Sequence, residues 1–427
     1  MHHLLTFLDE INYWNKKPGF ETGFFRSYYL NQLEKALGNK LVKVIVGQRR
    51  SGKSYIVRQL IELLINKKKA PSKNIFYLNK ELFEFEEIDS ATKLSELIKL
   101  YEQEFKPEGK IYLLIDEVQN ISNWEKIIVS LAQNPVKAYE IIITGSNSRL
   151  LSGELASLLS GRYLLTEVLP FSYDEYLTYS SLENSKDNFI KYITTSGLPE
   201  TYKLQTEEVQ KHYFEALKDT VLLKDIMYRH KIRDYVLLGD IFLFLLHNLG
   251  NMTSIPSIIK YFKSKNRQVD YSTISNYISF LEEAYIIHQA SRRSLKTKEL
   301  LAGEKKYFIN DLGFRNYLYP KLMNDIGSML ENIVYMALRK AGYKTELGYD
   351  RNFEVDFYAS KSDSAMYIQV SYLLSSEKTI EREMGALEKV KDHHPKYVLS
   401  MDDITLTPSS GIRHEKVWDF VYGLEKN

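Results

Sequence analysis

The sequence predicts an α/β protein that begins on an open parallel sheet, and three observations lead there. Five apolar runs, at 41–46, 74–78, 111–115, 139–144 and 163–168, alternate with stretches of helical periodicity. The first run leads into G-Q-R-R-S-G-K-S (47–54), a complete G-x-x-x-x-G-K-[ST] phosphate loop (P-loop), and a helical pattern follows over 55–64. The third run ends in Asp116-Glu117, two carboxylates at the C-terminal end of a strand, where open α/β sheets bind ligands.

Each element has a physical reason. Uninterrupted apolar runs belong to parallel strands buried on both faces. In the loop, glycines let backbone N–H groups turn toward phosphate oxygens at a helix N-terminus. Lys53 adds a point charge, and the Ser54 hydroxyl ligates Mg²⁺. The expected binding residues are therefore Gly47, Gln48, Arg49, Arg50, Ser51, Gly52, Lys53, Ser54 and Tyr55, and the expected ligand is ATP with Mg²⁺. Asp116 is expected to share the metal with Ser54, while Glu117 orients and deprotonates the attacking water. The plain alternative is a turn with two solvated acids. Gly145-Ser146-Asn147-Ser148 closes the fourth run. Ser146 or Asn147 there would bond the attacking water and sense the γ-phosphate, or else serve as a turn or helix cap. Ahead of the core (37–170), residues 1–36 form a helical lead-in rich in aromatics: Trp14, Phe20, Phe24, Phe25, Tyr28 and Tyr29. With Arg26 they either lie beside the adenine or pack as ordinary core.

Residues 171–225 read as a helical lid, broken at Gly197-Leu198-Pro199, that reports nucleotide state. Over 226–310 there are 13 Lys+Arg against 7 Asp+Glu. Helical runs at 235–248, 254–264 and 272–285 precede two strand-like runs, the pattern of a winged-helix domain. A recognition helix would start at Ser272, and Arg292, Arg293, Lys296 and Lys298 would sit on the wing, where phosphate contacts are common. The expected partner is DNA; the alternative is a structural wing that packs on the ATPase core or on a neighbouring subunit, its charge merely solvated.

The ordered segments of the core resemble the AAA+ ATPases, which insert an extra strand between the phosphate-loop strand and the acidic strand. That resemblance implies an arginine at the end of the helix before the fifth strand, reaching a neighbouring subunit's γ-phosphate. Arg162 stands there, with Arg149 a weaker second candidate, and a homo-oligomer follows. An ion pair within the chain is the alternative role for Arg162. More narrowly, I-D-E-V-Q (115–119), T-G-S-N-S (144–148), S-G-R-Y (160–163), L-P-F-S-Y-D-E-Y (169–176), S-G-L-P-E (196–200), L-E-N-I-V-Y (330–335) and E-V-D-F (354–357) are similar to a family of prokaryotic AAA+ ATPases ending in a restriction-endonuclease-like domain. Such a domain, at 325–427, implies Asp356 and the helical Glu331 as metal ligands. Gln369 and Ser371 stand where an acid and a lysine belong, with Glu354 and Lys378 as substitutes. From 325 on there are 13 basic and 17 acidic residues, which disfavours an unaided grip on a phosphate backbone. A degenerate domain used for docking is expected.

Bulk composition narrows the classes. The chain has 427 residues, 44% hydrophobic and 26% charged, which fits a globular protein of several domains. A net charge of +2 carries no global bias toward nucleic acid or membrane. Without cysteine there are no disulfides or thiolate metal sites, and a reducing compartment fits. No signal-peptide pattern opens the chain and the longest apolar stretch (241–246) is too short to span a bilayer, so a cytoplasmic protein is expected. Three functions are open: an ATP-driven switch or remodeller acting on DNA, an ATP-gated metal-dependent nuclease, or a slow signalling ATPase with a protein partner.

Overall fold

The computed structural model describes residues 2–12, 14, 21–148, 159, 161–320, 325–351, 353–407 and 411–426. They divide into two compact units, Met1–Val168 and Leu169–Asn427. The division into five domains expected from sequence is therefore coarser in the structure. The lead-in belongs to the first unit, and the lid, the basic module and the C-terminal region share the second.

The first unit is a parallel five-stranded sheet of β1 (Val42–Val46), β2 (Ile75–Asn79), β3 (Ile111–Asp116), β4 (Tyr139–Gly145) and β5 (Tyr163–Glu167), in the order β2-β3-β4-β1-β5. The fourth strand in sequence thus lies between the loop strand and the acidic strand, as the AAA+ resemblance implies. Every residue of β1 and β2 is buried, which is what uninterrupted apolar runs require. Helices α1 (His2–Ile11), α2 (Ser27–Ala36), α3 (Lys53–Asn66), α4 (Ala91–Phe105) and α5 (Trp124–Ala132) surround the sheet. Ile56, Val57, Leu60, Ile61 and Leu64 form one stripe of α3 at helical spacing, packed in a core with Ile45, Tyr77 and Leu114. Register then places the chemistry. Val46 pairs with Gly145 and Asn79 with Asp116, so loop, acids and β4 tip emerge at one end of the sheet.

The second unit opens with helices α6 (Tyr173–Ser180), α7 (Lys186–Thr194) and α8 (Glu207–Thr220), a π-helical stretch Val221–Met227, and α9 (Tyr235–His247), α10 (Ile255–Ser264) and α11 (Tyr271–Glu283). A seven-stranded mixed sheet follows: β6 (Ile287–Ser294), β7 (Leu300–Ile309), β8 (Lys344–Asp350), β9 (Phe353–Lys361), β10 (Ser364–Val370), β11 (Lys396–Ser400) and β12 (Ile412–Lys416), ordered β12-β11-β10-β9-β8-β6-β7. Helices α12 (Gly313–Leu318), α13 (Ile326–Lys340), α14 (Glu377–Glu388) and α15 (Val417–Lys426) complete it.

The three helices of the basic module form as expected, but its ribbon is not a free wing. Arg292–Ser294 of β6 pair in parallel with Leu347–Tyr349 of β8, making the ribbon the edge of the C-terminal sheet. A two-stranded ribbon cannot bury a face by itself. Here Phe308 stacks on Tyr335 of α13 at 4.1 Å between ring centroids, and Asn332 bonds both the N–H and the C=O of Ile309. Helices α6, α7 and α8 share this core through Tyr173, Phe189 and Phe214.

Several of the segments that carry the family resemblance turn out to be joints of this core. Phe171 N–H donates to Gly197 C=O at 2.6 Å, and Gly197 N–H donates to Asp311 Oδ2 at 2.7 Å. A Cβ on Gly197 would lie 2.7 Å from the Phe171 carbonyl oxygen, so only glycine fits this crossing. Ser172 and Glu175 form a reciprocal capping box on α6, and Lys340 of α13 reaches Glu175 at 3.3 Å. The cavity beside them, about 30 Å³, is the size of a water site.

Candidate functional site

The phosphate loop owes its path to two glycines. Gly47 has φ +143°, and a Cβ there would lie 2.2 Å from the carbonyl oxygen of Val168. Gly52, at φ +97°, sits in the N-cap position of α3, which has no side-chain cap, so the first N–H groups of the helix face the loop. Lys53 is buried, its Nζ 3.1 Å from the carbonyl oxygens of both Gly47 and Gln48. Gln48 and Ser51 are buried too, and the Ser51 hydroxyl has no hydrogen-bond partner. Arg49 reaches across to Glu81 beyond the tip of β2 at 2.8 Å, and Arg50 has φ +69°.

Behind the loop stands the acidic pair. Asp116 is fully buried, hydrogen-bonded by the hydroxyls of Thr144, Ser54 and, at 3.3 Å, Tyr77. Burial and the neighbouring Glu117 push its carboxyl above the usual range, against the opposing pull of Ser54, Thr144 and Lys53. Glu117 adopts φ +55°, and its N–H donates to Thr144 Oγ1 at 3.0 Å. Its Oε1 stands 3.7 Å from Lys53 Nζ. Burial would raise its pKa, but Lys53, Arg49, Gln119 and Ser146 outweigh that and hold it below the ordinary carboxylate value. Glu117 is therefore ionised at neutral pH and able to accept a proton. Ser146 and Asn147 are buried at the tip of β4. The donor set at Ser54 and Asp116 is two hard oxygens already in contact, the chemistry that suits Mg²⁺.

Two of the residues named with the site stand apart from it within one chain. Arg162 is exposed, and its carbonyl accepts from Val42 N–H at the far end of β1 from the loop. Within one chain it does not meet the other site residues. Arg149, Ser160 and Phe20 lie outside the described residues. Trp14 packs on Tyr101 and Phe105 and donates to Ile75 C=O at 2.5 Å, so it is core rather than a base platform. The stretch next to the loop is 21–26. Gln59 of α3 donates to the carbonyls of Thr22 and Phe24 and accepts from Arg26 N–H, and the Tyr55 ring lies under Gly23. Arg26, buried, donates from Nη1 to the Ser51 carbonyl at 2.9 Å, while Phe25 is 61% exposed. Sequence reasoning named Arg26 only as a neighbour. Its grip on the loop joins positions 25 residues apart, beyond any local pattern.

The second unit answers the nuclease expectation. Lys306 Nζ, from β7, lies 2.7 Å from Glu331 Oε2 and 3.1 Å from Asp356 Oδ1, between the two carboxylates expected to hold metal. Burial opposes its charge, but Asp356 and Glu331 prevail and hold the ammonium above its ordinary range. Gln369 accepts from Asp356 N–H, and Val370 N–H donates to Asp356 Oδ2. Glu354 and Lys378 are exposed, and the cavity here is about 10 Å³. Among the described residues no group of three or more His, Cys, Asp or Glu side chains is arranged to hold a metal. The lysine missing from sequence position 371 is thus supplied from 65 residues earlier, as a counter-ion to the acids.

The wing cations are engaged as well. Arg292 pairs with Glu304 and lies over Tyr349, Arg293 pairs with Glu346 and lies over Tyr358, and of the four only Lys296 and Lys298 are exposed. At the start of α11, Asp270 caps Thr273 N–H and accepts from the hydroxyls of Ser272 and Thr273. These bonds hold its pKa down to about 2, placing a negative charge where a recognition helix would meet DNA. A serine–histidine pair, Ser400 Oγ and His414 Nε2 at 2.8 Å, is structural. His414 Nδ1 accepts from Leu406 N–H, so the ring proton sits on Nε2 and cannot be replaced by the serine's.

Comparison with known proteins bears on both units. Residues 39–177 match an AAA domain, and residues 186–325 match a domain of unknown function. An uncharacterized protein of Haemophilus influenzae is 33% identical over 93% of this chain and 98% of its own length. An uncharacterized protein of Methanocaldococcus jannaschii is 32% identical over 87% of this chain and 82% of its own. Among solved structures, a Walker-type ATPase of Pyrococcus abyssi aligns over 69% of this chain and 95% of its own, at 16% identity and a TM-score of 0.42.

Proposed function

We propose, from the premise that this chain belongs to one family with the uncharacterized Haemophilus influenzae protein and carries an AAA domain over residues 39–177, that its first unit is a Mg²⁺-dependent ATPase whose turnover switches the conformation of the second. The observation that carries this reading is the convergence of Lys53, Ser54, Asp116, Glu117 and Ser146 at one end of the parallel sheet, with Lys53 Nζ 3.7 Å from Glu117. The loop amides and Lys53 bind the β- and γ-phosphates. Ser54 and Asp116 would hold Mg²⁺, which when bound neutralises charge on the phosphate oxygens. Glu117 takes a proton from water as the water oxygen bonds to the γ-phosphorus and the bond to the β–γ bridging oxygen breaks. Ser146 bonds the same water. Arg162, at the far end of β1, serves this chemistry only on a second copy of the chain.

DNA is the partner favoured for the second unit, through Lys296 and Lys298 in the exposed turn between β6 and β7. The nuclease reading is set aside because Lys306 neutralises the acids it needs. The test is steady-state ATP hydrolysis with and without duplex DNA at low salt, for the wild type, Lys53→Ala and Lys296→Ala/Lys298→Ala. Turnover no greater than that of Lys53→Ala sinks the ATPase reading. Turnover and affinity indifferent to DNA remove DNA and leave a protein partner.

A further inference from the structure

One side chain ties the tip of β3 to the tip of β4. Gln119 lies in the single 3₁₀ turn Val118–Asn120 after Glu117, closed by Asn120 N–H donating to Glu117 C=O at 3.1 Å. Its amide nitrogen donates to Glu117 Oε2 and stands 3.4 Å from Ser146 Oγ. The orientation of the amide follows from the partner: an ionised carboxylate only accepts, so the NH₂ group must face it. The amide oxygen Oε1 is left buried with no hydrogen-bond partner in the chain. Buried acceptors are rarely left without a donor, and an exception beside a reacting centre points to a water or ligand as the missing partner.

We propose that Gln119 positions the hydrolytic water: its NH₂ group fixes the Glu117 carboxylate and links it to Ser146, and its free oxygen accepts the hydrogen that Glu117 does not remove. The glutamate itself leaves the strand in a left-handed conformation, φ +55°, so its carboxylate is aimed by side-chain contacts rather than by continuation of the β3 backbone. Those contacts are Lys53, Gln119 and the Ser146 hydroxyl, and Lys53 is the one that phosphates would draw away. Gln119, linked to Ser146, then remains to hold the base once nucleotide is bound. This inference rests on the ATPase reading of the first unit.

The experiment compares four proteins as full chains: wild type, Glu117→Gln, Gln119→Ala and the isosteric Gln119→Glu. Binding is read by a fluorescent ATP analogue, and turnover by phosphate release. Gln119→Ala is expected to lower kcat by about 10- to 100-fold with the nucleotide Kd changed less than about threefold. Gln119→Glu keeps an acceptor oxygen at the same place but loses the NH₂ group that donates to Glu117, so kcat falls while the nucleotide Kd holds. A residue that merely packs would lower stability or binding rather than kcat alone. If Glu117→Gln abolishes turnover while both Gln119 variants keep wild-type kcat, the inference falls and the ATPase reading stands. Loss of nucleotide binding in both variants also overturns it, since Gln119 then builds the site rather than aims it. If the wild type hydrolyses no faster than Glu117→Gln, the ATPase reading fails and the inference with it.

Discussion

Each unit of this chain sets a buried lysine against a pair of carboxylates, Lys53 with Asp116 and Glu117 in the first and Lys306 with Glu331 and Asp356 in the second, and the two trios differ in what the lysine rests on. In the first unit Lys53 lies on the carbonyl oxygens of Gly47 and Gln48, with the Glu117 carboxylate at 3.7 Å. In the second, Lys306 is bonded directly to Glu331 and Asp356 at 2.7 and 3.1 Å. Carbonyl dipoles hold an ammonium without cancelling its charge, so Lys53 keeps a full charge for an incoming anion. Lys306 is already neutralised by its neighbours, and burial together with Asp356 pushes the Glu331 carboxyl up to about 8. One trio is open to a charged ligand and the other is complete. Residue types alone do not separate them; the distances do.

Substitutions can break this contrast, and the largest effect is expected in the open trio. Lys53→Ala should reduce ATP turnover to background, and Glu117→Gln should lower it by roughly 10²–10⁴-fold while nucleotide still binds. Lys306→Met, by contrast, should leave ATP turnover per folded molecule within about threefold. If Lys306→Met abolishes turnover in a folded protein, the two trios are not independent.

The closed trio should show itself in stability instead. Lys306→Met leaves Glu331 and Asp356 facing each other without a counter-ion, and breaking a buried pair from one side costs about 3–5 kcal/mol. Replacing all three groups together (Lys306→Met, Glu331→Gln, Asp356→Asn) should cost much less, because no unpaired charge remains. Urea denaturation of the wild type, the single variant and the triple variant measures both. Equal losses for the single and triple variants would show that the lysine packs rather than pairs.

A smaller effect comes from pH. Burial pushes Asp311 up to about 6 and Glu425 up to about 7 in the second unit. Between the ordinary carboxylate range and those values the native state holds protons that the unfolded chain has released. The stability these two carboxyls contribute therefore falls as pH rises from about 4 to 7 and levels off above. Urea midpoints of the wild type and Asp311→Asn at pH 5 and pH 7.5 check the sign: between those pH values the wild type should lose stability relative to the variant. Least of all, Arg162→Ala should leave a single chain's turnover unchanged. If specific activity rises with protein concentration and Arg162→Ala abolishes that rise, the arginine acts between copies.

The open trio was readable from sequence because its parts are contiguous. Eight residues spell the loop, and Asp116-Glu117 ends an apolar run, so local pattern places both at strand tips. The closed trio was not readable in the same way. Glu331 and Asp356 were expected as ligands, but their partner Lys306 comes from a strand whose position in the sheet is set by the β6–β8 pairing. Periodicity marks a strand without naming its neighbour, so the ribbon looked like a wing and its arginines like free cations. Gln119 lies in the segment I-D-E-V-Q, where the local pattern assigns it no role. Its function depends on a bond to the residue two places earlier and on the tip of another strand. Arg162 shows the converse: its place before β5 was legible, but only strand register shows it at the opposite end of the sheet from the loop.

The backbone leaves the first unit through Val168. Its N–H donates to Val46 C=O at 2.7 Å, and its own carbonyl oxygen is what excludes a side chain from Gly47. The last residue of the first unit is thus held by the end of β1 through its N–H, while its carbonyl stands where any side chain at the first loop position would have to go. The same residue that ends the nucleotide-binding unit therefore also dictates that its loop begin with glycine.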